Sequence, residues 1–167
     1  MTYQCRIFGV DDYSRILEFY RNVDGEFYPR LSERKGGLGG HMQTIVQNGG
    51  SFAIFEENGE IHGVAGFFPL DQNREVVQFT LFSFTERYRN GIAPYRLAKY
   101  LANMRVALGY QSTRKIIART WYEASADRLQ RMGFNHVATM KGDLAPDRTS
   151  YYFEGSLDFI IENIVFV

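Results

Sequence analysis

The sequence predicts one α/β (α+β) domain over residues 1–167, a mixed central sheet with helices on both faces in the order β-α-α-β-β-β-α-β-α-β-β. Three observations lead there. The chain has 167 residues, 45% of them hydrophobic and 16% aromatic, which suits one full core rather than two. Residues 75–84 carry large apolar groups at both parities, the pattern of a strand covered on both faces and therefore central in its sheet. Segments of alternating hydrophobicity are interleaved with segments of helical period, with no repeat and no low-complexity linker between them.

Taken in order, residues 3–8 read as the first strand. Asp11 or Asp12 then caps a helix in which Tyr13, Ile16, Leu17 and Tyr20 share a face. The glycine-rich run KGGLGGH, residues 35–41, is expected to be a mobile loop. It lacks both the preceding strand and the Gly-Lys-Ser/Thr ending that a nucleotide-binding loop needs. A short helix through Met42, Ile45 and Val46 is closed by Asn48-Gly49-Gly50. Residues 52–55 and 61–67 flank Glu56-Glu57-Asn58-Gly59, and Asn-Gly favours the tight turn whose twist matches paired strands, so a hairpin is predicted. After a turn at residues 69–73 comes the central strand. Beyond it Leu97, Leu101, Met104 and Leu108 form the buried stripe of one amphipathic helix. Residues 115–119 read as a strand, 124–132 as a helix closed by Gly133, and 135–140 and 149–155 as two final strands. The apolar tail, residues 157–167, packs on its own sheet or forms a dimer contact, so a monomer or a homodimer is expected.

Charge and composition exclude several function classes. Nineteen Lys and Arg against nineteen Asp and Glu give a formal net charge of zero, so no overall field draws the chain to nucleic acid or to an anionic membrane. The first residues lack a basic segment followed by an apolar one, and no apolar span reaches about 18 residues, so a cytoplasmic protein is expected. Cys5 is the sole cysteine. It cannot form an internal disulfide, and it reads as a small buried strand residue in a reducing compartment. His41, His62 and Cys5 offer no metal-ligand spacing, and no metal is expected.

The informative stretch is ERYRNGIAPYR, residues 86–96, which lies between the central strand and a helix. Such a strand-turn-helix junction directs successive backbone N–H groups and the helix dipole at one point, where an anion can sit. Gly91 has no Cβ to hold a phosphate away, Ala93 is small, and Pro94 in the first helical turn sacrifices no hydrogen bond. Arg87, Arg89, Arg96 and Lys99 concentrate positive charge in an otherwise neutral chain. The same residues could also form a plain connection with solvated arginines.

Arg89-Asn90-Gly91-Ile92-Ala93 resembles the acetyl-CoA-binding motif of the GNAT N-acetyltransferase superfamily, Gln/Arg-x-x-Gly-x-Gly/Ala. About forty residues downstream, Leu129-Gln-Arg-Met-Gly133-Phe134 is similar to that superfamily's Tyr-x-x-x-Gly-Phe helix ending, and the element order fits over residues 3–157. The resemblance implies a GNAT-like acyl-CoA N-acyltransferase fold, acetyl-CoA as co-substrate, and direct attack by a small-molecule or peptide amine in a ternary complex. It implies a pyrophosphate cradle at Arg87, Tyr88, Arg89, Asn90, Gly91, Ile92 and Ala93, and backbone N–H donors to the acyl oxygen near Phe82, Ser83 and Phe84. Tyr88 stands where the family has Gln or Arg, with arginines on either side. Leu129 stands where many members carry a tyrosine that protonates the leaving thiolate, and leucine cannot do so. Tyr122 and Ser125, at the start of the same helix, are the hydroxyls that could replace it, although Ser125 could equally be a helix cap. Glu75 is the carboxylate at the substrate end of the central strand and could act through water as general base; it could also be an exposed turn residue. The acceptor side would be built from residues 20–41 and 140–157. Two further classes stay open: a non-catalytic acyl-CoA-binding module, and a transferase that uses another acyl donor.

Overall fold

The computed structural model describes residues 3–143 and 145–164. Its elements are β1 (Tyr3–Ile7), α1 (Tyr13–Val23), α2 (Gly37–Gln47), β2 (Ser51–Glu57), β3 (Glu60–Pro69), β4 (Val76–Phe84), α3 (Glu86–Arg89), α4 (Ala93–Asn103), β5 (Lys115–Thr120), α5 (Glu123–Arg131), β6 (Asn135–Lys141), β7 (Thr149–Gly155) and α6 (Leu157–Asn163). The strands make one mixed seven-stranded sheet in the order β1-β2-β3-β4-β5-β7-β6. The β4–β5 pair is parallel, while β1–β2, β2–β3, β5–β7 and β6–β7 are antiparallel. The chain folds as two compact units, Met1–Phe68 with Leu81–Leu97, and Pro69–Thr80 with Ala98–Val167.

In the first unit, the β2–β3 hairpin turns at Asn58 and Gly59, whose φ values of 51° and 83° place both in the left-handed region that matches strand twist. Ile16, Phe19, Tyr20, Met42, Ile45, Phe52, Ile54, Val64 and Leu81 form its core. Cys5 on β1 is half-buried rather than fully buried. The glycine run read as a mobile loop is instead the first turns of α2. A Cβ at Gly39 would lie 3.1 Å from the Tyr13 hydroxyl, which donates to the Gly39 carbonyl, so small residues let α1 approach and packing overrides weak helix propensity.

Asp12 stands at the entry to α1, but its carboxylate makes no cap to the helix. It accepts from Gly9 N–H at 2.9 Å and from both Arg6 terminal nitrogens at 2.5 and 2.7 Å. Glu56 on β2 accepts from Gln4 at 2.6 Å and from the same arginine at 2.9 Å, and Arg15 closes the network onto both acids. Both carboxylates are buried, so the arginines are what make their burial tolerable.

In the second unit, Val76, Val77 and Gln78 of β4 pair with Lys115, Ile116 and Ile117 of β5. The predicted helix through Leu108 stops at Asn103, and residues 104–109 are turns. Arg74 braces the turns that follow. Its guanidinium lies 4.8 Å from the centre of the Tyr110 ring and takes the Leu108 carbonyl at 3.0 Å, while Gly109 turns back at φ 74°. The Gly-Phe ending of α5 is a helix stop: Gly133 has φ 92°, and Phe134 N–H returns to the Leu129 carbonyl at 3.0 Å. Within the tail, Leu157, Ile160 and Ile164 are buried, and residues 165–167 lie outside the described residues. No described helix is long and apolar enough to cross a membrane.

The acid network sets a pH dependence. Hydrogen bonds from Arg6 hold the Asp12 carboxyl down at about 2. A carboxylate with a depressed folded-state value stabilises fully above its unfolded value, about 3.9, and that contribution is lost as pH falls through the folded value. Urea unfolding between pH 6 and pH 2 should therefore show a loss on the order of 1 to 2 kcal/mol from this site, after allowing for solvent screening around the arginines. Asp12→Asn should lower stability at pH 6 and flatten the slope between pH 4 and pH 2; an unchanged slope would remove Asp12 from the account.

Candidate functional site: the turn after β4 and the strand that leads into it

The stretch after β4 is a single helical turn, α3, rather than an open loop. Tyr88 and Arg89 N–H groups return to the Thr85 carbonyl at 2.9 and 3.1 Å, and Gly91 N–H reaches the Tyr88 carbonyl at 3.3 Å before α4 begins. Tyr88 is the inward anchor of this turn. Its ring lies 5.4 Å from Phe55 and 4.7 Å from His62, and its hydroxyl donates to Glu57, a buried carboxylate on β2. That bond raises the tyrosine pKa above its ordinary value, so the hydroxyl stays a donor. Arg87 is largely exposed and approaches the same carboxylate at 3.8 Å.

Arg89 is held differently. It forms an ion pair with Glu26 and donates to the Phe84 carbonyl at 3.3 Å, while its Nε is buried without a hydrogen-bond partner. Ser83 donates to the other oxygen of Glu26 at 2.9 Å. Glu26 lies in the segment expected on the acceptor side, but its two partners are 57 and 63 residues away, and no local pattern links it to them. Arg96 lies over the Tyr3 ring at 4.0 Å. Burial pushes the nearby Cys5 thiol up to about 11 against the opposing charge of Arg96, so this thiol is not a nucleophile at neutral pH.

Gly91 is the informative glycine. Its φ is outside the left-handed region, and a Cβ there would meet nothing nearer than the Tyr88 carbonyl at 3.8 Å. The protein's own packing therefore does not demand glycine. Ala93, buried, opens α4 at the positive end of the helix dipole; Pro94 has no N–H to leave unpaired, and Arg96 N–H bonds the Ile92 carbonyl at 3.1 Å. Bare backbone at Gly91, the positive end of the α4 dipole, an orphaned Arg89 Nε and an exposed Arg87 fit a pyrophosphate in kind. Asn90 and Ile92 complete this turn and are exposed.

The strand before the turn is distorted. Leu81 has φ 54°, a conformation that costs a bulky residue on the order of 1 to 3 kcal/mol. Its carbonyl accepts from the buried Tyr20 hydroxyl at 2.8 Å. Beyond it Phe82 is half-buried, and Ser83 and Phe84 are buried. The Phe84 ring lies directly on Gly63 of β3, where a Cβ would sit 2.2 Å from a ring carbon.

The catalytic candidates lie in the second unit. Glu75 precedes β4 and is ion-paired with Arg114, and its own N–H is fixed by Asp71 at 3.1 Å. Tyr122 is the N-cap residue of α5, half-exposed and stacked on Trp121 at 3.8 Å. Ser125 is not the cap: it lies inside the helix, and its N–H bonds the Tyr122 carbonyl at 3.1 Å. Leu129 is buried. Among the described residues no group of His, Cys, Asp and Glu is placed to hold a metal ion.

No family model matches the chain, and no curated protein does either. Solved structures match it over nearly its whole length. An acetyltransferase of the GNAT family from Streptococcus pneumoniae superposes with a TM-score of 0.74 at 13% identity, covering 93% of this chain and 99% of that one. The fold is that of the GNAT acetyltransferases. The yncA protein of Salmonella typhimurium, solved with its cofactor acetyl-CoA, gives 0.73 at 16% identity over 95% of both chains. A ribosomal-protein-alanine N-acetyltransferase from Brucella melitensis gives 0.70 at 16%, covering 92% of this chain and 99% of that one.

The contact at Gly63 can be tested directly. Gly63→Ala forces a methyl group into the Phe84 ring, a buried group with no free end to swing away, and should cost about 1 to 3 kcal/mol in thermal or denaturant unfolding. A variant as stable as the parent would mean that Phe84 does not occupy this position.

Proposed function

We propose that this protein is an acetyl-CoA-dependent N-acetyltransferase that acts on a primary amine of a small molecule or peptide. The observation that carries the reading is Gly91: a backbone position left bare without an internal reason, at the start of α4, in a chain with the fold of acetyltransferases. Bound acetyl-CoA supplies a thioester open to direct attack by an amine. The Ile92 and Ala93 amides, beside the bare Gly91 backbone, and the Arg87 guanidinium are assigned to the pyrophosphate. The N–H groups of Phe82 to Phe84 are assigned to the acyl oxygen, where preorganised donors stabilise developing charge better than water does.

An amine with a reference pKa of about 10.4 is mostly protonated near pH 7, and freeing it costs about 4 to 5 kcal/mol. Glu75, acting through water, is assigned to take that proton, in competition with its Arg114 pairing. Tyr122 and Ser125 are assigned to return a proton to the leaving thiolate. A second reading, a module that binds acyl-CoA without turnover, is favoured by one observation: Leu129 is a buried core residue where a proton donor would stand.

Calorimetric titration with acetyl-CoA and CoA separates these readings from a fold without a ligand. Wild type should bind both, and Gly91→Glu, which places bulk and negative charge in the cradle, should abolish binding. No binding by wild type would overturn the assignment. Turnover with a panel of primary amines separates enzyme from binding module, and donor chain-length preference identifies any other acyl group. Glu75→Gln should slow transfer by about 10²-fold or more and alter its pH profile between pH 6 and pH 9; an unchanged rate across that range removes Glu75 as base.

A further inference from the structure

We propose that Tyr20 is a positioning residue for the transfer reaction: its hydroxyl holds Leu81 in the left-handed conformation that sets the direction of the Phe82 to Phe84 N–H groups. The inference rests on the function proposed above, which assigns those groups to the acyl oxygen. In a regular strand successive N–H groups point alternately to the two sides. A residue at φ 54° breaks this alternation and re-aims the amides that follow. Leucine does not adopt that conformation unaided, so the surrounding structure must impose it.

The structure contains the means. Tyr20 lies on α1, is fully buried, and donates to the Leu81 carbonyl at 2.8 Å across 61 residues of sequence. The Phe19, Phe27 and Phe52 rings lie 5.4, 6.0 and 6.5 Å from its own, so the hydroxyl is held in one place. Burial raises the Tyr20 pKa well above the ordinary tyrosine value, which keeps the hydroxyl protonated and donating at working pH. Two further ties join the same two segments: Ser83 to Glu26 at 2.9 Å, and Arg89 to both Glu26 and the Phe84 carbonyl. The amide directions after Leu81 are thus set by α1 and the residues that follow it, not by β4 alone.

The test is Tyr20→Phe, which keeps the packed ring and removes only the hydroxyl. In steady-state kinetics kcat should fall about tenfold to a hundredfold, with the KM for acetyl-CoA changed by less than about twofold, because the cradle is untouched while donors to the reacting carbonyl are misaimed. In the free protein, amide hydrogen exchange at residues 81–84 should accelerate while exchange in β2 stays as in wild type. Ile160→Val, a buried change on α6 outside the Tyr20 cluster, controls for general destabilisation and should leave both readouts near wild type. Unchanged exchange at residues 81–84 in Tyr20→Phe overturns the proposal, whatever the kinetics, and so does an unchanged kcat in an active enzyme. If wild type acetylates no amine, the functional reading fails by itself, and the exchange result then decides the Tyr20 latch.

Discussion

A leucine held at φ 54° inside β4 is the constraint on which the rest of the site geometry depends. Up to Gln78 the strand is an ordinary parallel partner of β5. From Leu81 onward its polar groups go elsewhere: the Leu81 carbonyl to Tyr20, the Ser83 hydroxyl to Glu26, the Phe84 carbonyl to Arg89. Such a conformation costs about 1 to 3 kcal/mol, a large fraction of a total stability of about 5 to 15 kcal/mol. It persists only where packing over-determines it. Here the apolar cluster around Tyr20, the bare surface of Gly63 under Phe84 and the Tyr20 hydrogen bond supply that determination.

The charges around the turn follow a related logic. Two of its arginines are not loose cations: Arg87 approaches Glu57, and Arg89 is paired with Glu26. A carboxylate beside an arginine cancels part of the field a phosphate would feel, and at about 4 Å in a partly buried setting that interaction is worth about 4 kcal/mol before solvation costs. The same carboxylate fixes a side chain that would otherwise lose about 2 kcal/mol of rotamer entropy when it binds. Pairing therefore exchanges long-range attraction for preorganisation. Beside these pairs the start of α4, with no acidic residue in its first turn, adds the positive end of a helix dipole.

How much of this was legible in the sequence depended on whether the cause was local. Asn58-Gly59 announces its turn because both residues adopt left-handed φ at little cost, and the hairpin followed. The two-parity apolar run announced β4, and Gly133 announced the end of α5. The start of α2 was illegible because glycines look like loop until Tyr13 packs on Gly39. The end of α4 was illegible because the apolar stripe continues to Leu108, while the side chain that holds the Leu108 turn, Arg74, lies 34 positions earlier. In the candidate site, the turn after β4 was visible as Gly91 and its arginines. Glu57 was invisible as a site residue, and Glu26 and Tyr20 were visible only as members of the segment expected on the acceptor side, because each acts through a partner at least 31 positions away. A strained φ at a leucine has no sequence signal at all.

The buried Leu129 bears on the choice between enzyme and silent binder, and magnitudes decide how heavily. A thiol of pKa about 8.5 lies only about 1.5 units above neutral pH, so leaving as an unassisted thiolate costs about 2 kcal/mol. Freeing an ammonium costs more than twice that. The proton that must be taken is therefore the harder one, and a chain lacking the thiolate's donor loses the smaller share of the barrier. Activity then depends less on a hydroxyl at position 129 than on a carboxylate free to act as base. Glu75 can fill that role only as its pairing with Arg114 relaxes, and because this pair is exposed on both sides, the relaxation costs no more than about 1 kcal/mol.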